Sequence, residues 1–401
     1  MNAAFTGYRF FRSQAFSYQA LRTMGHASAC GATAVECLLT FRRIKDGDAE
    51  SWYSAWSARA EACEKLHVME GDVTSRGRAL LRASNYHRAS GFFLPADDQR
   101  HQEIHRRQAD AFERGLKTIG IPHKSWNIPY ERYSLRAYYF PGDAKKPLVI
   151  ACGGFDSTLE ELFFWIGNAA VERGHPCIMF EGPGQSGMLR EYGTVFIPEW
   201  EKPLMAVLDH ARWDSPETDG CVKVLVGVSM GGMLALRAAS RDKRINAAAC
   251  HCGFFSMENA ALMRLPSPAK WAYRMGMRGV FNRLASIAAA RDKERRWALG
   301  HGMKVTGAAT PFDFLARASE FSLLSVAEDI TCDVLVVQAS RDHLVPTRDV
   351  DLFRKHLKRA RSLKLVTIED PGGEHCQAGA VETFHQVLFG WIGGLYTPLA
   401  R

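Results

Sequence analysis

The stretch from Lys223 to Ala239 constrains the fold more than any other part of the chain. Its first half, Lys-Val-Leu-Val-Gly-Val, is apolar and β-branched, which is typical of a buried parallel strand, and its second half is rich in Ala and Leu, which favours a helix. Gly-Val-Ser-Met-Gly joins them, and a serine on so sharp a turn needs glycine at positions 227 and 231, where a side chain would collide with the backbone. The spacing predicts that the Ser229 hydroxyl projects above the sheet as a nucleophile.

A serine nucleophile requires a base that takes its proton and an acid that orients the base. In a doubly wound sheet these groups follow the serine along the chain, each in a loop after a strand. The predicted strand at 332–338 leads into Ser-Arg-Asp-His, so Asp342 is the candidate acid. The predicted strand at 363–368 leads to Gly-Gly-Glu-His-Cys, so His375 is the candidate base. Other histidines are weaker candidates because they adjoin the acid or lie in helical patterns, namely His343, His356 and His385.

A reaction at Ser229 also needs two backbone N–H groups that stabilise an oxyanion. Met230, directly after the serine, supplies the first. The loop after the predicted strand at 147–152 reads Gly-Gly-Phe, and we expect the second donor from Phe155, with Gly154 as the alternative. This set of groups works without a metal ion or an organic cofactor. Two fragments with a pair of metal-ligating residues lack a second pair at zinc spacing, so no metal site is predicted from them: Cys250-His251-Cys252 and His101 with His105.

The chain divides into two predicted domains. From residue 126 to 401, strand and helix patterns alternate, which predicts an α/β fold with a doubly wound, mostly parallel sheet. Within it, residues 256–330 lack strand patterns and are rich in aromatic residues and methionine, so we expect a helical lid inserted before the acid-bearing strand. Residues 1–125 show apolar positions at helix spacing, which predicts a helical cap domain.

Aromatic side chains are frequent in the predicted cap, and core packing explains them better than the alternative, a pocket for a flat aromatic substrate. They are Trp52, Tyr53, Trp56, Tyr86, Phe92 and Phe93.

A glycine-rich segment at 181–187 formally matches the dinucleotide-binding pattern G-x-G-x-x-G. Pro183 interrupts the pattern, and no clear helix pattern follows it. A loop beside the active site is therefore favoured over a nucleotide site.

Composition argues against several classes of protein. The net charge of +8 comes from 51 basic and 43 acidic residues without a basic run among aromatics, so a nucleic-acid partner is not expected. No apolar stretch reaches the roughly 18 residues of a membrane span. Ten cysteines without a Cys-x-x-Cys pair are typical of a reducing compartment, so we expect a cytoplasmic protein. Residues 1–35 contain arginines but no acid, which fits a transit peptide less well than the first helices of the fold.

Together, Gly-Gly-Phe-Asp-Ser, Gly-Val-Ser-Met-Gly-Gly, Ser-Arg-Asp-His-Leu-Val-Pro and Gly-Gly-Glu-His-Cys occur in one order that resembles the α/β-hydrolase superfamily. Segments 47–52 and 81–86 and the Glu-His-Cys ending are similar to its esterase group with a helical N-terminal cap. That group includes 2,6-dihydroxypseudooxynicotine hydrolase and the yellowish-green-type polyketide-shortening hydrolases of fungal pigment pathways. The resemblance covers nearly the whole chain beyond about residue 40.

The resemblance implies a homodimer that cleaves a carbon–carbon bond beside a ketone, in a retro-Claisen sense, in a small polyketide or acylphenol. The chain departs from the commonest oxyanion loop by carrying Cys152-Gly153 where many hydrolases carry His-Gly, which leaves the choice of donor open. Hydrolysis of an ester, lactone or thioester, and acyl transfer to an acceptor other than water, need the same groups and stay open. A non-catalytic binding protein is disfavoured because all three triad members are present. No substrate-binding residue is assigned.

Overall fold

A computed structural model describes residues 9–263, 265–346 and 348–396. Eight strands form one sheet: β1 Lys124–Tyr130, β2 Tyr133–Phe140, β3 Leu148–Cys152, β4 Cys177–Phe180, β5 Lys223–Val228, β6 Ala247–His251, β7 Asp333–Ala339 and β8 Ser362–Ile368. Their order across the sheet is β1-β2-β4-β3-β5-β6-β7-β8. The pairs β1–β2 and β2–β4 are antiparallel, and every other pair is parallel. The predicted doubly wound, mostly parallel sheet is confirmed.

The burial of the strands explains which of them the sequence revealed. β3 to β7 are buried at every position, as expected for strands covered by helices on both faces, and they read as continuous apolar runs. β1 was not among the predicted strands. It alternates exposed and buried residues and contains Pro129, which an edge strand tolerates because its free edge needs no ladder bond.

Five helices precede the sheet: α1 Gln14–Gly25, α2 Ala34–Phe41, α3 Ala49–Val68, α4 Val73–Ser90 and α5 Arg100–Ile119. Four of them begin at a side chain that accepts a hydrogen bond from the first turn, which is why they start there: Ser13, Thr33, Asp48 and Asp72. Trp52, Trp56, Tyr86 and Phe93 are buried in a core of these helices, whereas Tyr53 and Phe92 are only partly buried. Most of the aromatic residues therefore pack in the core.

The remaining helices cover the sheet and its upper edge. They are α6 Asn168–Glu172, which continues a π-helical turn at Phe163–Gly167, α7 Ser186–Tyr192, α8 Glu201–Asp214, α9 Met230–Arg241, α10 Met257–Met263, α11 Ser267–Arg274, α12 Arg278–Arg291, α13 Lys293–Thr306, α14 Pro311–Glu320, α15 Asp349–His356 and α16 Val381–Tyr396. Helices α10 to α14 form the insertion between β6 and β7, as predicted.

Two further expectations from the sequence concern α7 and α1. Helix α7 begins at Ser186, inside the glycine-rich segment 181–187, and continues to Tyr192, so the expectation that no helix follows the pattern was wrong. Part of the stretch considered as a transit peptide folds as α1, whose residues 16–23 are all buried; residues 1–8 lie outside the described residues. Within the described ranges, no helix combines the length and the apolar character needed to cross a membrane.

Candidate active site

The turn between β5 and α9 holds Ser229 in a conformation that side chains rarely adopt, with φ 58° and ψ −128°. Glycine is required on both sides of it. A Cβ atom at Gly227 would lie 1.9 Å from the Gly231 carbonyl oxygen, and a Cβ atom at Gly231 would lie 2.5 Å from that of Gly153. Without those Cβ atoms the chain reverses sharply, and the Ser229 side chain stands at the carboxyl edge of the sheet.

The structure brings Ser229, His375 and Asp342 together. The Nε2 atom of His375 lies 2.9 Å from Ser229 Oγ, and its Nδ1 atom lies 2.7 Å from Asp342 Oδ2. The second carboxylate oxygen, Oδ1, accepts hydrogen bonds from the backbone N–H groups of Leu344 and Val345, at 2.8 and 2.9 Å. Loops after three different strands, β5, β7 and β8, therefore deliver three side chains in one hydrogen-bonded series.

The charge of Asp342 determines how protons are arranged in this series. Burial alone would raise its pKa, but the attraction of His375 and the hydrogen bonds to the carboxylate lower the pKa below its ordinary value. Asp342 is thus a carboxylate at neutral pH, and it accepts the Nδ1–H of His375. Nε2 then carries a lone pair directed at the Ser229 hydroxyl, which is the tautomer a general base needs.

The loop after β3 packs against the start of α9. A Cβ atom at Gly154 would lie 2.8 Å from the Met230 nitrogen, so only glycine lets the two backbones approach so closely. The Gly154 N–H donates to Ser157 Oγ at 2.9 Å, whereas no hydrogen bond from the Phe155 N–H is found within the described part of the chain. Gln185 donates to the Gly153 carbonyl oxygen at 2.6 Å and fixes the loop from the other side. Segment 181–187 thus lies beside the site, as predicted.

Side chains of the N-terminal helices reach this site, and the sequence analysis did not identify them. The Tyr18 hydroxyl on α1 donates to the His375 carbonyl oxygen at 3.2 Å. Arg22, one turn further on, donates to Asp156 at 3.0 Å and to both oxygens of Glu161 at 2.8 and 2.6 Å. Because Asp156 directly follows Phe155, α1 anchors the loop that approaches Met230. Arg22 is the one charged residue of α1, and this was the only sequence signal.

The insertion contributes an aromatic wall to the same loop. His301 on α13 donates from Nε2 to the Phe155 carbonyl oxygen at 3.1 Å, and its ring stacks on Trp297 with centroids 5.3 Å apart. Trp297 in turn stacks on Phe92 at 4.5 Å. Cap, insertion and sheet therefore meet beside Phe155.

A cluster of His251, Cys252 and Cys376 lies directly behind the site, with one polar atom of each within 4.8 Å of the others. Burial raises the pKa of the Cys376 thiol well above its ordinary value, which keeps it protonated. The Nε2 atom of His251 lies 2.7 Å from Gln377 Oε1. The neutral Cys376 thiol and a hydrogen-bonded imidazole fit core packing better than metal ligation, for which a thiolate is needed.

His101 and His105 each make a hydrogen bond within the protein. His101 Nε2 lies 2.9 Å from the Pro95 carbonyl oxygen, and His105 Nδ1 lies 3.2 Å from Ser186 Oγ.

Comparison with known proteins agrees with this geometry. Residues 148–382 match the model of the Alpha/beta hydrolase family. The hydrolase acrC of Aspergillus aculeatus is 32% identical over 420 residues, which cover 96% of this chain and 97% of that protein. The 20-hydroxy-prefusarin hydrolase FUS2 of Gibberella moniliformis is 33% identical over 419 residues, covering 97% and 98%.

A solved structure extends the comparison to the fold. The crystal structure of the 2,6-dihydroxy-pseudo-oxynicotine hydrolase superposes with a TM-score of 0.74 at 20% identity, over 93% of this chain and 95% of that one. The resemblance drawn from the sequence is confirmed: the chain belongs to the alpha/beta hydrolase family and is a hydrolase.

Proposed function

We propose that the chain is a serine hydrolase that cleaves the carbon–carbon bond beside a ketone in a small polyketide or acylphenol-like substrate. The hydrogen-bonded series from Asp342 through His375 to Ser229 is the observation that carries the proposal. The choice of a carbon–carbon bond rests on the family resemblance of the sequence. A relative named as a hydrolase of 20-hydroxy-prefusarin supports a small organic substrate.

In this mechanism, Ser229 Oγ attacks the ketone carbon while His375 Nε2 takes its proton, and Asp342 stabilises the resulting imidazolium. The N–H groups of Met230 and Phe155 hold the oxyanion; Phe155 is preferred over Gly154 because the Gly154 N–H is already bound to Ser157.

Collapse of this intermediate breaks the bond between the carbonyl carbon and its neighbour. The departing carbon takes the bonding electrons, and His375 returns the proton to it. Water then attacks the acyl-serine with His375 again as base, which releases a carboxylic acid and frees Ser229. The leaving carbon must be stabilised by a second carbonyl or an electron-rich ring.

The experiment compares the wild-type protein with a Ser229→Ala variant. Wild-type protein should react with a fluorophosphonate probe and split an acylated phenol or 1,3-diketone into an acid and a shortened carbon skeleton, with one ¹⁸O atom from labelled water in the acid. Ser229→Ala should do neither, and Ser319→Ala, an exposed hydroxyl far along the insertion, serves as the control. Turnover of ester or thioester probes alone would favour the alternative hydrolases, and full turnover by Ser229→Ala would refute the mechanism.

We further propose the division into a cap of residues 1–125 and a catalytic domain of residues 126–401, since α1 to α5 share an aromatic core of their own. Limited proteolysis tests this division. The homodimer and the cytoplasmic location stay predictions; sedimentation analysis and cell fractionation test them.

A further inference from the structure

Arg190 on α7 is a partly buried cation that contacts no carboxylate among residues 9–263, 265–346 and 348–396. Its only hydrogen bond is a long one, 3.5 Å from Nη1 to the Ala96 carbonyl oxygen, and no carboxylate of the described residues forms an ion pair with it. Burial lowers its pKa to about 10, so it stays charged at neutral pH. A cation removed from water without a counter-ion is destabilising, so its retention calls for a compensating ligand.

Neighbouring buried arginines show how the fold treats such a charge elsewhere. Arg22 and Arg88 lie against the Glu161 carboxylate, at 2.6 and 3.3 Å. Arg136 lies 2.7 Å from Glu160. Each of these cations is neutralised inside the protein, and Arg190 is not.

The charge of Arg190 acts on two histidines, His101 and His301. Both use Nε2 on a backbone carbonyl: His101 on Pro95 at 2.9 Å and His301 on Phe155 at 3.1 Å. Burial, and to a lesser degree the charge of Arg190, lowers the pKa of both rings, to about 4 for His101. At neutral pH Arg190 thus supplies a positive charge and its own N–H donors, while both imidazoles are neutral and keep their Nε2–H on a backbone carbonyl.

The position of this group relates it to the reaction. His301 contacts the carbonyl of Phe155, whose own N–H is the proposed oxyanion donor. The ring of His301 also continues the stack of Trp297 and Phe92, an apolar wall at the junction of cap and insertion. Arg190 and its two histidines therefore lie beside the loop that carries the proposed oxyanion donor.

We propose that Arg190, flanked by His101 and His301, binds a carboxylate-type anion of the substrate, either a carboxylate or the enolate of a 1,3-dicarbonyl unit. Arg190 is then the specificity-determining residue that selects anionic over neutral substrates. This inference rests on the proposed function, because it assigns the substrate class of the same site. A guanidinium offers such an anion two parallel N–H donors, which is the geometry that carboxylate oxygens match.

Turnover tests the site with matched chromogenic esters. The 4-nitrophenyl hemiesters of succinate, glutarate and adipate carry a carboxylate at three distances from the reacting carbonyl, and their methyl-capped counterparts are neutral. For at least one chain length, wild-type kcat/KM should favour the hemiester by about tenfold or more, the value of one charged hydrogen bond. Arg190→Met should abolish that ratio, Arg190→Lys should retain part of it, and Arg132→Met, which removes an exposed arginine, should leave it unchanged.

Binding tests the site independently of turnover. Calorimetry with Ser229→Ala should detect benzoate and enolised dimedone, but not benzamide or the methyl enol ether of dimedone, and adding Arg190→Met should remove that binding. Binding of only one of the two anions tells carboxylate from enolate recognition. If Ser229→Ala binds the anions but wild-type protein splits neither the acylated phenol nor the 1,3-diketone, the proposed function fails while the anion site stands. An unchanged hemiester ratio in folded Arg190→Met, or no binding of either anion, overturns the inference.

Discussion

Replacing Arg22 by methionine should destabilise the protein far more than replacing an arginine with the same contacts at the surface. Arg22 makes a two-pronged contact with Glu161, and its side chain and that of Glu161 are only 5% and 0% exposed. Arg100 makes an equivalent contact with Glu50, but these side chains are 33% and 66% exposed. The two pairs therefore differ mainly in burial.

The expected magnitudes follow from that difference. With Arg22 removed, the buried cluster of Arg22, Arg88, Asp156 and Glu161 changes from a net charge of zero to −1, since burial lowers the pKa of His26 to about 4 and keeps it neutral. Removing one partner of a buried ion pair costs about 3–5 kcal/mol, whereas an exposed pair contributes about 0–1 kcal/mol. Asp156 would also lose its anchor, so kcat should fall by about tenfold or more as the Phe155 N–H moves away from the oxyanion.

Urea unfolding followed by circular dichroism measures the first effect, and turnover of 4-nitrophenyl acetate measures the second. The double variant Arg22→Met/Glu161→Gln restores a net charge of zero, so its free energy of unfolding should fall by about 0.5–3 kcal/mol less than the sum of the single changes. Should Arg22→Met lose no more stability than Arg100→Met, burial would not be the source of the effect. Strict additivity in the double variant would also refute the reasoning.

Three other predictions follow from the site and its surroundings. Gly227→Ala should give misfolded protein by circular dichroism, because its Cβ atom would lie 1.9 Å from the Gly231 carbonyl oxygen; a folded, active variant would contradict the elbow geometry. Ser157→Ala leaves the Gly154 N–H without its acceptor at 2.9 Å, so urea unfolding should show a loss of about 1–3 kcal/mol, and kcat should fall as well. Burial lowers the pKa of three histidines to about 4 or 3, namely His26, His101 and His251. Because the unfolded chain binds more protons there, their contribution to stability is complete above pH 6.5 and is lost as the pH falls toward 4; a flat urea-unfolding profile over that range would exclude it.

Local sequence patterns were enough to predict the central strands and the three candidate catalytic residues. The buried strands β5 and β7 are mainly apolar and lead to Ser229 and Asp342, and His375 follows the partly exposed strand β8, in the chain order of the family. The choice between Gly154 and Phe155 could not be made in this way, because it depends on where the Ser157 hydroxyl points.

No local sequence pattern predicted the contacts between segments that are far apart in the chain. Arg22 and Glu161 are separated by 139 positions, and Tyr18 and His375 by 357. The edge strand β1 was not predicted because only alternate side chains are buried and Pro129 lowers its strand propensity. Helix α7 was not predicted because it is short and begins inside a glycine-rich segment.

Helix α1 has a consequence for how this protein can be shortened or recombined. A fragment that begins after Thr23 keeps all eight strands and the three side chains at the sheet edge, yet it loses Tyr18 and Arg22. Such a fragment would contain every catalytic motif. It would lack the two side chains that hold the loops of His375 and Asp156 in place. A foreign cap grafted onto this sheet must therefore bring a tyrosine and an arginine placed to contact the His375 carbonyl, Asp156 and Glu161.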